Sequence, residues 1–149
     1  MPLRRVENRR AFDAVWPILA ESVFEPTAAR REALGRAYLE RGPRCLWAFD
    51  VDGRAVAVVG VRLDGAGGEI THLAVAARHR GEGLGRAALE ALRLAAPAVR
   101  VWRAETDDEA VGFYRRLGFA VEDLGERYPG VRRYRCTLER PSATRRRDP

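Results

Sequence analysis

Leu84, Ala87, Ala88, Ala91, Leu92 and Ala95 recur at i, i+3, i+4, i+7, i+8 and i+11. That pattern is a one-faced helix, ended by Pro97. It is preceded by the strand-like run EITHLAV at 69–75 and by the segment AARHRGEGLGR at 76–86, with Gly81, Gly83 and Gly85 at every second position. Glycine lets backbone amides approach a ligand that a side chain would block. A helix starting at that point adds amides without intrahelical partners and the positive end of its dipole. Residues 69–96 therefore predict strand, loop and helix around a phosphate or pyrophosphate site, with Arg78, Arg80 and Arg86 as permanent positive charge.

The rest of the chain constrains which anion site this is. A strand near Leu3 to Val6 leads to a helix carrying Ala11, Val15, Ile18, Leu19 and Val23, which Pro17 should bend or divide. A second helix begins at the N-cap Thr27, carries Leu34, Ala37 and Tyr38, and stops before Gly42 and Pro43. Strands at Cys45–Phe49 and Ala55–Leu63 flank the turn residues Asp52 and Gly53. After a glycine-rich turn at Gly65 to Gly68 comes the strand Glu69–Val75; beyond the central helix, a strand at Val99–Ala104 follows. Thr106 and Glu109 read as a capping box opening a helix through Leu117 to Gly118, and a hairpin with Val121 and Leu124 on one arm and Tyr134, Cys136 and Leu138 on the other closes the fold. A dinucleotide site would want G-x-G-x-x-G in the first strand-to-helix turn. Here RGEGLG follows the fourth strand, after antiparallel hairpins, which argues against that class.

Composition excludes further classes. The 149 residues hold 27 basic and 21 acidic groups, and every basic one is arginine, so lysine Schiff bases and a P-loop lysine are excluded. At 46% apolar and 32% charged the chain is globular, and its length predicts one domain over residues 1–140, followed by a disordered tail at 141–149. The longest apolar stretch, Ala55 to Val61, is far short of the roughly 18 residues of a membrane span, and the start shows no signal core. The expectation is a cytoplasmic protein without a membrane partner. Cys45 and Cys136 read as buried reduced thiols, and with His72 and His79 they give no metal-site spacing.

The loop and one later segment together resemble the GCN5-related N-acetyltransferase (GNAT) family. Arg80-Gly81-Glu82-Gly83-Leu84-Gly85 is similar to its R/Q-x-x-G-x-G/A loop, with Leu73-Ala74-Val75 as the preceding strand end. The run from Ala110 to Phe119, with Tyr114 and Gly118, resembles its A-x-x-x-Y-x-x-x-GF helix. The resemblance covers residues 1–139. It implies an α/β (α+β) fold with a mixed, mostly antiparallel sheet of six to seven strands, about four helices and a V-shaped splay between strands 69–75 and 99–105. It also implies an acetyl-coenzyme A site. Pyrophosphate would rest on the amides of Gly81, Glu82, Gly83, Leu84, Gly85 and Arg86, beside Arg80. Pantetheine would lie along Leu73, Ala74 and Val75 and near Asp107 and Tyr114. Asp107 departs from the family, which often has asparagine there, and a carboxylate cannot donate the amide hydrogen bond of an asparagine.

Attack of an amine on a thioester needs a neutral amine, and deprotonating an alkyl ammonium at neutral pH costs roughly 4 to 5 kcal/mol. The resemblance implies Tyr114 as proton donor to the departing sulfur and Glu69 as the leading base. A solvated turn carboxylate is the alternative for Glu69, and an ordinary core tyrosine the alternative for Tyr114. His72 has the better intrinsic pKa for a base, but strand parity turns it away from Glu69, and a structural histidine is the competing reading. A base acting through water also remains open. Direct attack in a ternary complex is preferred, because neither cysteine has a neighbouring base.

Three functions follow: an N-acetyltransferase acting on a primary amine of a small molecule or peptide, a non-catalytic acyl-coenzyme A binder, or a basic nucleic-acid-binding module. The sequence pI near 10.3 invites the last. Against it, the arginines are spread along the chain, and only Arg145 to Arg147 form a run. Residues 24–38 and 127–133 would shape an acceptor pocket, where Phe24, Tyr38, Tyr128 and several arginines suit an acidic or carboxylate-bearing acceptor. Exposed strand edges would permit a homodimer.

Overall fold

The computed structural model describes residues 3–139. The expected disordered tail with Arg145 to Arg147 lies outside the described residues. Seven strands form one sheet in the order β1-β2-β3-β4-β5-β7-β6. They are β1 (Leu3–Arg5), β2 (Arg44–Val51), β3 (Arg54–Asp64), β4 (Gly67–Val75), β5 (Val101–Thr106), β6 (Ala120–Tyr128) and β7 (Val131–Glu139). Four helices, α1 (Arg9–Leu19), α2 (Ala28–Leu39), α3 (Leu84–Ala95) and α4 (Val111–Arg116), complete the mixed α/β architecture. The chain divides into two compact units. One is built from residues up to Arg62 together with Thr71–Ala96, the other from Leu63–Ile70 together with residues from Pro97 onward.

In the first unit, Asn8 caps α1 by accepting from the Ala11 amide at 2.8 Å. Pro17 removes one backbone donor, yet α1 continues two residues past it and then tightens into a 3-10 turn at Ala20–Ser22. Thr27 caps α2 as its sequence predicts, accepting from the Arg30 amide at 3.1 Å. The strands β2 and β3 pair antiparallel through a two-residue turn whose Asp52 and Gly53 both have positive φ, 54° and 78°. A type I′ hairpin requires that geometry. Phe12, Val15, Leu19, Leu46, Val58 and Tyr38 form the centre of this unit's core. Burying each large side chain there contributes roughly 1.5 to 3 kcal/mol.

In the second unit, the start of β4 pairs parallel with β5 from Gly67↔Val101 to Ile70↔Ala104. The turn expected over Gly65 to Gly68 is shorter than its glycines suggest. Gly67 and Gly68 already belong to β4, because Gly68 lies against the Trp102 ring, where a Cβ would collide. The strand expected at Val99–Ala104 runs instead from Val101 to Thr106. β7 pairs antiparallel with both β5 and β6. The expected Thr106 and Glu109 capping box does not form. Thr106 ends β5 and is buried, while Asp107 accepts from the amides of Glu109 at 3.0 Å and Ala110 at 3.2 Å. The shorter carboxylate one residue later reaches those amides, so the turn before α4 is an aspartate turn.

Candidate active site

The loop between β4 and α3 joins a strand end to the open first turn of a helix. After a 3-10 turn at Ala77–His79, Gly81 and Gly83 take φ of 82° and 79°. An L side chain strains at either position, and a Cβ added there would meet no protein atom within 4 Å. Gly83 is the N-cap of α3; it has no side chain to occupy the helix end, and the first turn holds no acidic residue. The amides of Leu84, Gly85 and Arg86 precede the first intrahelical bond, Ala87 N–H to the Gly83 carbonyl at 3.0 Å. Backbone donors and the dipole end of a three-turn helix therefore converge where a phosphate is expected.

The arginines around this loop are not equivalent. Arg80 Nε donates to the Val75 carbonyl at 3.3 Å, and its Nη2 donates to Glu21 on the turn after α1. Its guanidinium is thus fixed across the loop base and shares its charge with a carboxylate. Arg86 lies 3.8 Å from Glu90 one helical turn on, and Arg78 is exposed. His79 Nδ1 stands 3.3 Å from Glu82 Oε1. Glu21 carries no motif and was invisible in the sequence as a partner of the loop.

Beyond Ile70, β4 carries Thr71, His72, Leu73, Ala74 and Val75 into this loop. Thr71 Oγ1 and His72 Nδ1 both lie 2.5 Å from the Tyr38 hydroxyl on α2. Consecutive strand residues normally face opposite sides, so strict alternation breaks here and parity does not separate these two side chains. Burial, and secondarily the Arg44 cation, push the His72 pKa down to about 4, which leaves the imidazole neutral at pH 7. Sequence reasoning placed Tyr38 on a core face but did not connect it to His72. The available signal was Gly60, an isolated glycine inside a strand, which marks a close approach: a Cβ there would collide with the Tyr38 hydroxyl.

Within the second unit, Tyr114 is buried, at 6% exposure. Its ring meets Phe113 and Phe119 edge-on, with centroids 5.1 and 5.2 Å away. Burial, with the Cys136 thiol as the lesser cause, raises its pKa well above that of an ordinary phenol. The hydroxyl is therefore a proton carrier at neutral pH. Glu69 is exposed and sits opposite Arg103 in the β4–β5 ladder. The Asp107 carboxylate, engaged by two backbone amides, shapes the turn into α4. Cys45 and Cys136 are buried free thiols with pKa values raised by burial, as their strand positions predict. Among the described residues no group of three or more His, Cys, Asp or Glu could hold a metal ion, and no helix is long and apolar enough to cross a membrane.

Comparison with known proteins bears on the same segments. Residues 9–119 match the model of the acetyltransferase (GNAT) family. No curated protein matches the chain. Among solved structures, the ribosomal-protein-S18-alanine N-acetyltransferase from Escherichia coli superposes with a TM-score of 0.72 at 18% identity, over 98% of this chain and 97% of that one. An acetyltransferase from Thermus thermophilus gives 0.73 at 16% identity, over 93% and 97%. A GNAT family acetyltransferase from Elizabethkingia anophelis with acetyl-CoA bound gives 0.69 at 15%, over 93% and 98%. Likeness at these identities establishes the fold, and the family match spans the anion loop, β5 and the Tyr114 helix. On that match, the chain belongs to the GNAT family of acetyltransferases.

Proposed function

We propose that the chain transfers the acetyl group of acetyl-coenzyme A to a primary amine by direct attack in a ternary complex. The observation that carries this reading is the β4–α3 loop. Two positive-φ glycines and the open first turn of α3 form a pyrophosphate cradle, and a fold relative holds acetyl-CoA. The amides of Gly81 to Arg86 hold the pyrophosphate, Arg80 and Arg86 add positive charge, and the edge of Leu73, Ala74 and Val75 pairs with pantetheine. Coenzyme A supplies an activated acyl carbon and a sulfur leaving group.

The chain's own residues handle the protons. Glu69 removes a proton from the acceptor ammonium, directly or through water, so that the nitrogen lone pair can attack the thioester carbon. As the C–N bond forms and the C–S bond breaks, Tyr114 gives its proton to the departing sulfur. The raised Tyr114 pKa keeps the phenol protonated across the working range, so the hydroxyl holds the proton this role transfers. Buried cysteines with raised pKa values are poor nucleophiles, which favours direct attack over an acyl-cysteine.

Thiol release from acetyl-CoA, measured against amino acids, polyamines, aminoglycosides and peptides, tests the reading and identifies the acceptor. The expected result is release that depends on one class of amine, with Glu69→Gln and Tyr114→Phe each lowering kcat. Release independent of any amine, or unchanged kcat in both variants, contradicts it.

A further inference from the structure

Tyr38 is 3% exposed, and its single hydroxyl stands 2.5 Å from both His72 Nδ1 and Thr71 Oγ1. The Tyr38 and His72 rings meet edge-on, with centroids 5.7 Å apart. A hydroxyl has one proton to give, so at most one of these two neighbours accepts from it. Of the three groups, the phenol is the most acidic donor and the imidazole nitrogen the most basic acceptor. The strongest arrangement therefore runs from the Thr71 hydroxyl to the Tyr38 oxygen, and from the Tyr38 hydroxyl to His72 Nδ1. It fills the Nδ1 lone pair and puts the imidazole hydrogen on Nε2. Nε2 is the ring nitrogen that the Tyr38 hydroxyl does not engage, and His72 is only partly buried.

We propose that Tyr38 and Thr71 hold His72 as a neutral imidazole whose Nε2–H donates a hydrogen bond to the thioester carbonyl of the bound acetyl donor, making His72 a catalytic hydrogen-bond donor and not the base. The inference rests on the acetyl-CoA reading above. With pyrophosphate at Gly81 to Arg86 and the pantetheine arm running back along Val75 to Leu73, the next residues met at the acetyl end are His72 and Thr71. A fixed N–H aimed at a carbonyl oxygen gains strength as negative charge develops there, and no proton need move. To act as a base instead, His72 would have to take a proton at Nδ1, against the Tyr38 hydroxyl, or already lack one at Nε2. Burial, together with the Arg44 cation facing it from β2, opposes the imidazolium in either case.

Glutamine at position 72 separates donor from base, because its terminal amide can supply an N–H near the place of Nε2 but cannot take up a proton. With the amine identified by the panel, His72→Ala should lower kcat about 100-fold, whereas His72→Gln should stay within about tenfold of the native enzyme, with KM for acetyl-CoA little changed in both. Equal loss in both variants, or no loss in His72→Ala, overturns the proposal. Nitrogen-15 NMR of the histidine rings reads the tautomer without turnover. The expected signal is an Nε2-protonated ring that Tyr38→Phe releases into a tautomer mixture; an Nδ1-protonated ring in the native protein overturns the assignment. Coenzyme A binding, followed by melting temperature, separates the two levels. Its absence in the native protein defeats the acetyl-CoA reading, whereas its retention in His72→Ala confines a negative kinetic result to the role of His72.

Discussion

The Tyr38 hydroxyl, brought in from α2, stands 2.5 Å from His72 Nδ1 on β4 and buries that edge of the imidazole. Burial of His72, and secondarily the Arg44 cation, has a thermodynamic consequence. The His72 pKa falls to about 4 in the folded chain from an ordinary value of 6.5. The unfolded chain therefore binds a proton first as the solution is acidified. The stability associated with neutral His72 is fully present above pH 6.5 and is lost as pH falls towards 4, on the order of 2 to 3 kcal/mol across the window. Denaturant melts of the native protein and His72→Gln between pH 7 and 4 should diverge in slope, the variant losing less. Parallel curves would contradict the burial of a neutral histidine.

Tyr114 offers a kinetic test. Its ring is fixed between Phe113 and Phe119, so removing only the hydroxyl should leave the packing and the acetyl-CoA KM nearly unchanged. Loss of a positioned general acid should lower kcat about 100-fold. Steady-state rates of Tyr114→Phe check this, and a changed KM with unchanged kcat would assign the tyrosine to binding alone.

Glu21 shares the Arg80 guanidinium with the anion loop. Both side chains are partly solvated, so the pair is worth at most about 1 kcal/mol. Glu21→Gln removes a negative charge beside the proposed pyrophosphate cradle and frees Arg80. Coenzyme A should then bind about two- to fivefold tighter by calorimetry, while an acetylated pantetheine lacking the pyrophosphate should bind unchanged. Equal effects on both ligands would place Glu21 outside the phosphate site.

Periodicity and turn chemistry made much of the fold legible. Six apolar positions at helical spacing predict α3, Thr27 predicts the start of α2, and Asp52-Gly53 predicts the first hairpin; each forms as expected. The misreadings share a cause, which is that tertiary contacts decide between local options of similar energy. Gly67 and Gly68 read as turn residues, but packing on Trp102 makes them strand. Thr106 reads as a cap, but its burial at the end of β5 leaves that task to Asp107. The strand, loop and helix around Gly81 and Gly83 were legible because their pattern is local in sequence. Tyr38 with His72, and Glu21 with Arg80, are separated by 34 and 59 residues, and no local pattern encodes such pairs.

The central claim is that the loop from Arg80 to Arg86 binds the pyrophosphate of coenzyme A. Melting temperature against coenzyme A concentration, for the native protein and Gly83→Val, tests it most directly. Valine at φ of 79° is strained and obstructs the amides at the start of α3. The native protein should gain about 2.7 kcal/mol at about 100 times Kd, a rise of roughly 5 to 10 °C for a chain of this size. Gly83→Val should melt lower and show little ligand-induced rise. No shift in the native protein at millimolar coenzyme A, or an equal shift in both proteins, would contradict the account.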